Sequence, residues 1–169
     1  VRLNLGCSDD HRPDYINVDV APPADQIADL RERWPWDDSS IEQILAHDVF
    51  EHIDSDEWRA QKGIIWCLNE AHRVLMPGGT LDLHVPCLPG VAPWVDPTHV
   101  SVWTADLRYY FDERWNCAAG ERGRLGAAYG ITALFRTVGG RSGADWNPVR
   151  YAPDAPDRCK LMLILEAVK

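Results

Sequence analysis

Apolar and polar residues alternate along Val1–Leu5, and the run stops at Gly6, the pattern of a strand feeding a tight turn. Residues 7–14 are polar and broken by Pro13, too short for a long helix. Tyr15–Val20 reads as a second strand, stopped by Pro22-Pro23, and Gln26–Leu30 as a short third strand or turn. Trp34-Pro-Trp-Asp-Asp-Ser-Ser40 is a loop, and Ile41–Ala46 a fourth strand.

Helical spacing begins near Glu57 and continues to Leu75, with Trp58, Ile65, Leu68, His72 and Leu75 on one face. Asp54 and Glu57 stand three apart, as in a capping box with an acidic N-cap. Met76-Pro-Gly-Gly79 ends the helix, since proline and glycine do not continue the ladder. Thr80–Val85 is a fifth strand, with Leu81, Leu83 and Val85 on one side and Thr80, Asp82 and His84 on the other. A proline-rich loop follows over 86–103, then a helix over Ala105–Arg114 and a glycine-rich loop over 116–126. Tyr129–Val138 and Leu161–Val168 are two more strands, separated by a long polar segment that contains Gly139-Gly140. This order predicts an α/β fold: a Rossmann-like, mostly parallel sheet flanked by helices, finishing in an antiparallel hairpin.

At 169 residues the chain is read as a single domain, and 46% hydrophobic with 25% charged residues is ordinary for a globular protein. No run approaches the roughly 20 apolar residues that cross a membrane. No leader-like stretch precedes the first strand, so nothing signals secretion. Five cysteines are scattered without paired spacing, which leads to an expectation of reduced thiols in a cytoplasmic setting. Acidic residues concentrate at one end: residues 1–57 hold 15 acids and 4 bases, and the remainder 11 acids and 13 bases. Such a half repels phosphate backbones, so nucleic acid is an unexpected partner. The excess is either a solvated face or a rim that favours a cationic ligand.

The candidate chemistry starts at Gly6-Cys7-Ser8 and Asp19, a turn and a carboxylate at the carboxyl edge of adjacent strands, where α/β sheets bind adenosine-bearing cofactors. The nicotinamide fingerprint needs three glycines and an acid about 20 residues on. Here Gly6 stands alone, and Asp19 follows after 13 positions, which leaves no room for a full phosphate-binding helix. An adenosine cofactor without a phosphate fits better. Local backbone capping is the competing role for Asp19.

The chain resembles the class I S-adenosylmethionine-dependent methyltransferases, in the branch with an abbreviated first helix. The matching pieces are Leu3-Asn-Leu-Gly-Cys7, Ile16-Asn-Val-Asp19, Ala28-Asp-Leu30, Trp34–Ser40, Ile44-Leu-Ala-His-Asp-Val-Phe-Glu-His-Ile53 and Arg73-Val-Leu-Met-Pro-Gly-Gly-Thr-Leu81. Ser8 stands where the family usually has a second glycine. The resemblance implies residues 1–85 as a cofactor-binding half and 86–160 as substrate-side loops and helix. It implies S-adenosyl-L-methionine as cofactor and S-adenosyl-L-homocysteine as product. Leu5, Gly6 and Cys7 are then the turn beside the methionine portion, Asp19 the acceptor of the ribose hydroxyls, Asp29 and Leu30 the adenine contacts, and Ala46 and His47 neighbours of the methionine part. A small-molecule or sugar-like acceptor is expected. The same residues also suit a methyltransferase-like module that binds without catalysis, and a nucleotide-sugar or nicotinamide enzyme on a related sheet is a third reading.

For catalysis, Asp96-Pro-Thr-His99 follows the fifth strand on the edge where substrate enters. His99 is the expected base, with Asp96 as its orienting partner. Trp94 and Trp103 flank this loop as substrate walls or packing residues, and Arg122, Arg124 and Arg141 as contacts for an anionic acceptor or as surface charges. His52 and His72 are read as packing or capping residues. His84 and Cys87 would point to opposite faces of a continuing strand, so no metal site is expected.

Overall fold

The computed structural model describes residues 1–54, 63–118, 126–151 and 157–169. Eight strands among them form one sheet: β1 (Arg2–Leu5), β2 (Ile16–Asp19), β3 (Gln26–Ile27), β4 (Ile41–His47), β5 (Leu75–Pro86), β6 (Phe135–Gly139), β7 (Val149–Arg150) and β8 (Cys159–Ala167). The order is β3-β2-β1-β4-β5-β8-β6, with β7 also paired to β8. Strands β1 to β5 are parallel, and β8 runs antiparallel to β5, β6 and β7. The expected fold class is therefore observed, with β8 inserted between β5 and β6.

One face of the sheet carries the apolar core. Leu3, Leu5, Val18, Ile44, Ala46, Leu81, Leu83, Val85, Leu161, Leu163 and Leu165 are all buried there. Helix α1 (Gly63–Val74) belongs to this core, and its buried stripe is Ile64, Cys67, Leu68, Ala71 and Val74. That stripe is rotated from the predicted face, since Ile65 and His72 are only partly buried. The expected start at Glu57 and the contact from Trp58 lie outside the described residues. So do Arg122, Arg124 and most of the 116–126 loop. His72 is structural, as expected: one ring nitrogen lies 2.8 Å from Val168 O, and burial lowers its pKa.

Three boundaries differ from the sequence reading for local reasons. Met76–Gly79 does not close α1 into a loop but opens β5 with an irregularity, where the register against β4 jumps between Ile41 and Gln43. A Cβ on Gly79 would lie 3.0 Å from Ile41 O and from Met76 O, a contact tight enough that the backbone would have to give by a few tenths of an ångström. The predicted helix at 105–114 breaks at Asp112, whose extended backbone separates α3 (Arg108–Phe111) from α4 (Glu113–Ala118). The buried Asp112 carboxylate caps Arg114 N at 3.0 Å and takes the Thr137 hydroxyl at 2.5 Å, tying this break to β6. The strand expected from Tyr129 starts only at Phe135, because Asn69 of α1 accepts from Thr132 N and Ala133 N and donates to Gly130 O.

The helix-free link from β1 to β2 is held by asparagines. Asn4 Nδ2 donates to Asn17 Oδ1 at 3.0 Å and to Asp10 O at 2.7 Å, and Arg12 N donates to Asn17 Oδ1 at 2.7 Å. Both asparagines are buried, so these bonds replace the solvent their amides lose. Cys7, Cys67, Cys87 and Cys159 are buried free thiols.

Candidate active site

A cavity of about 390 Å³ opens at the carboxyl ends of β1, β2 and β4. Gly6 forms one wall, in a left-handed conformation (φ 63°) that lets the chain turn away from β1. Asp19 lines the next wall. Its two oxygens accept from Ser8 N at 2.9 Å and Val20 N at 2.7 Å, which anchors the carboxylate and leaves further lone pairs. Thus Asp19 does cap the local backbone, and it also faces the cavity.

Asp29 and Leu30 complete that side. The Asp29 carboxylate is gripped by Arg31, Nε at 3.0 Å and Nη2 at 2.6 Å, and this pairing holds its pKa below the usual range. Four expected contacts do not line the cavity. Leu5 and Ala46 are packed in the core, and Cys7 is buried, its thiol pKa raised by burial and then by Asp19. His47 points from the opposite face of the sheet to Ala46 and stacks on His84, centroids 3.8 Å apart.

A second cavity of about 240 Å³ lies beside the first, and Asp48 and His52 line both. Its other walls include Glu51, Asp96, His99, Tyr151 and Lys160. Asp48 sits at the hinge, in a left-handed conformation (φ 55°) that costs a non-glycine residue energy, and it pairs with Lys160. Just beyond it the chain makes a short 3-10 turn over Phe50–His52, whose Phe50 anchors in the core and turns Glu51 and His52 toward the cavity.

His99 and Asp96 both line this cavity, as expected for the acceptor side, but they are not partnered as expected. Asp96 Oδ1 accepts from Thr98 N at 2.8 Å and from the Thr98 hydroxyl at 2.6 Å. Thr98 Oγ1 in turn lies 2.9 Å from His52 Nδ1, so Asp96 orients His52. The His99 ring is set by Pro93 O, 3.2 Å from Nδ1, and faces Glu51, with Oε1 4.0 Å from Nε2.

Glu51 is 1% exposed, and its Oε2 is buried without a hydrogen-bond partner among the described residues. Burial, outweighing a backbone hydrogen bond, pushes its pKa up to about 8. Glu51, Asp48 and His52 are functional candidates that spacing alone did not single out. The available signal was the end of β4 followed by two acids and a histidine within five residues. Trp103 is fully buried in the core, and Trp94 is exposed and lines neither cavity, so the aromatic wall is Tyr151. Arg141 is exposed and lines neither cavity. Cys87 is fully buried while His84 is half-buried.

No protein-family model and no curated protein sequence matches the chain. Solved structures match over nearly its whole length. A SAM-dependent methyltransferase from Archaeoglobus fulgidus aligns with a TM-score of 0.53 at 12% identity, covering 98% of this chain and 85% of its own. A chain of the complex between the Haloferax volcanii Trm112 methyltransferase activator and a putative methyltransferase aligns at 0.56 and 14%, covering 99% and 82%. The YcgJ protein of Bacillus subtilis aligns at 0.53 and 14%, covering 99% and 91%. The fold is that of the class I methyltransferases. In a methyltransferase-type sheet of this order, the larger cavity stands at the carboxyl edge beside β1 and β2.

Proposed function

We propose that this chain is an S-adenosylmethionine-dependent methyltransferase acting on a small acceptor. The observation that carries the proposal is the pair of adjoining cavities that share Asp48 and His52. One has a side-chain-free turn and an anchored carboxylate, suited to a nucleoside without phosphates. The other gathers titratable groups, suited to an acceptor nucleophile.

The residues fit the cofactor. The larger cavity is within the usual size of small-molecule sites, roughly 300–1,000 Å³. Asp19 has acceptor capacity left for the ribose hydroxyls, and the bare Gly6 backbone admits the methionine portion. Leu30, Val49 and Ile53 supply apolar walls. When bound, S-adenosylmethionine supplies an electrophilic methyl group. The chain's own contribution is to hold the acceptor in line with that methyl and to exclude water, which is where most of the acceleration of such a displacement originates.

If the acceptor carries a proton, Glu51 and His99 are placed to handle it, both lining the acceptor cavity and facing one another. Asp96 and Thr98 fix His52 at the boundary.

A thermal-shift titration with S-adenosylhomocysteine, paired with transfer of a labelled methyl from S-adenosylmethionine to candidate acceptors, tests this reading. Ligand at 100 times its Kd stabilises by about 2.7 kcal/mol. Absence of any shift with either adenosine compound defeats the proposal. A shift without turnover on any acceptor favours the binding module.

A further inference from the structure

Glu51, His52 and His99 offer one ligand-capable atom each, all within 4.8 Å of one another, from two chain segments that meet only in the folded protein. The hydrogen bonds around the two imidazoles fix where their protons sit. Pro93 O can only accept, so His99 Nδ1 is an N–H, and in the neutral ring Nε2 carries the lone pair. The Thr98 hydroxyl gives its proton to the Asp96 carboxylate, so its oxygen accepts from His52 Nδ1–H. His52 Nε2 is thereby also left as a lone-pair nitrogen.

Each ring thus donates its other N–H to a backbone carbonyl or to a hydroxyl backed by a carboxylate, the outer arrangement that orients metal-ligating histidines. Beside them stands Glu51, 1% exposed, with Oε2 buried and without a partner among the described residues, and His99 is itself only 9% exposed. Two imidazole nitrogens and a carboxyl oxygen are thus gathered at one end of the acceptor cavity. Lys160 lines the same cavity, but its ammonium is paired with Asp48.

We infer that Glu51, His52 and His99 form a binding site for a divalent first-row transition cation in the acceptor cavity, with Asp48 at its margin. Two imidazoles and a carboxylate suit such an ion better than magnesium or calcium, which favour all-oxygen shells. The inference departs from the reading of the sequence, which found no metal spacing. His52 and His99 stand 47 positions apart, and the 3-10 turn after β4 and the loop after β5 bring them together.

A second trio, His47, Asp82 and His84, has similar spacing. Both of its Nε2 atoms already face one Asp82 oxygen, at 3.4 and 3.3 Å, and its imidazoles are parallel, 2° between planes and stacked at 3.8 Å, so the two rings cannot both aim in-plane at a single ion. His52 and His99 are inclined at 70°, which permits convergence.

The site deepens the methyltransferase reading and rests on it for its purpose. A cation there accepts a lone pair from the acceptor and makes a hydroxyl more acidic, so the acceptor class it selects is an alcohol, phenol or vicinal diol.

The test is titration of the chelator-treated full chain with Co²⁺, read by its visible absorption and by calorimetry. Wild type is expected to bind saturably. Glu51→Gln and His99→Ala should each weaken binding at least about tenfold, and Thr98→Val, which releases His52, about tenfold. Asp82→Asn should leave it unchanged. Wild type binding no better than Glu51→Gln, or loss on Asp82→Asn with retention in Glu51→Gln, overturns the inference. Because Glu51→Gln is nearly isosteric, its fold is checked by circular dichroism and by the S-adenosylhomocysteine shift. That shift is read separately from cobalt binding: a shift without cobalt sinks the metal site alone, and cobalt without a shift sinks the cofactor assignment alone.

Discussion

A methyl group placed on Gly6 would lie 2.5 Å from Val49 Cγ2, closer than real carbon atoms approach. The turn after β1 is thus packed against the segment after β4, and the larger cavity runs between them. Gly6→Ala should destabilise the fold by about 1–3 kcal/mol, through overpacking and the left-handed backbone together. It should also abolish the S-adenosylhomocysteine shift. Adding Val49→Ala should recover only a small part of the stability, since it removes the Cγ2 contact but leaves the Cβ of residue 49 at 2.7 Å and the backbone strain in place. Denaturant melts of the two variants measure the difference.

Asp19→Asn keeps the side-chain size but removes the charge that strengthens hydrogen bonds to a ribose. A charge-assisted bond contributes about 1.5–3 kcal/mol, so S-adenosylhomocysteine affinity should fall by about 10- to 100-fold. Calorimetric titration gives this directly, and an unchanged affinity would remove Asp19 from the cofactor site.

Arg73 clamps the loop before β4 onto α1. It meets Glu70 through Nε and Nη2 at 2.7 Å each, and it also donates to Trp34 O, Trp36 O and Asp38. Glu70 in turn accepts from Trp34 N at 2.9 Å. Removing one partner of a buried pair leaves an uncompensated charge, so Arg73→Ala should cost about 3–5 kcal/mol. Glu70 and Arg73 removed together should cost less than the sum of the single losses, measured as a double-mutant cycle in urea.

Asp82 lies 3.4 Å from His47 Nε2 and 3.3 Å from His84 Nε2. Burial alone would raise its pKa, but interactions with both histidines outweigh this and take it well below the ordinary carboxylate value. A depressed carboxylate binds fewer protons in the folded state than in the unfolded state. Its stabilisation is therefore present above the unfolded pKa of about 4 and is lost as the pH falls below it. Asp82→Asn should flatten the decline of stability between about pH 4 and 2, as followed by urea melts at stepped pH. An unchanged slope would show that the histidines do not act on Asp82.

The parallel half of the fold was legible because its strands alternate cleanly or end at glycine and proline, as at Leu5-Gly6 and around Pro22-Pro23. Gly6 and Asp19, marked by the strand ends, and Asp29 and Leu30, marked by the family resemblance, all line the larger cavity. The helix break at Asp112 and the late start of β6 were not legible, since both depend on side chains reaching across the fold, to Thr137 and from Asn69. His99 lines the second cavity, as its place after β5 suggested. Its true neighbour Glu51 was missed because it sits 48 positions away, and no local period connects them. Asp96 was matched to the wrong histidine, because loop adjacency suggested His99 where Thr98 relays it to His52.

Asp48 and His52 belong to both chambers, so anything that shifts this short stretch acts on two ligands at once. With both chambers filled as proposed, linkage would make the influence mutual: whatever factor the nucleoside applied to the affinity for the second molecule, the second molecule would return to the nucleoside. On the proposed reading, coupling between donor and acceptor would follow from where one strand ends.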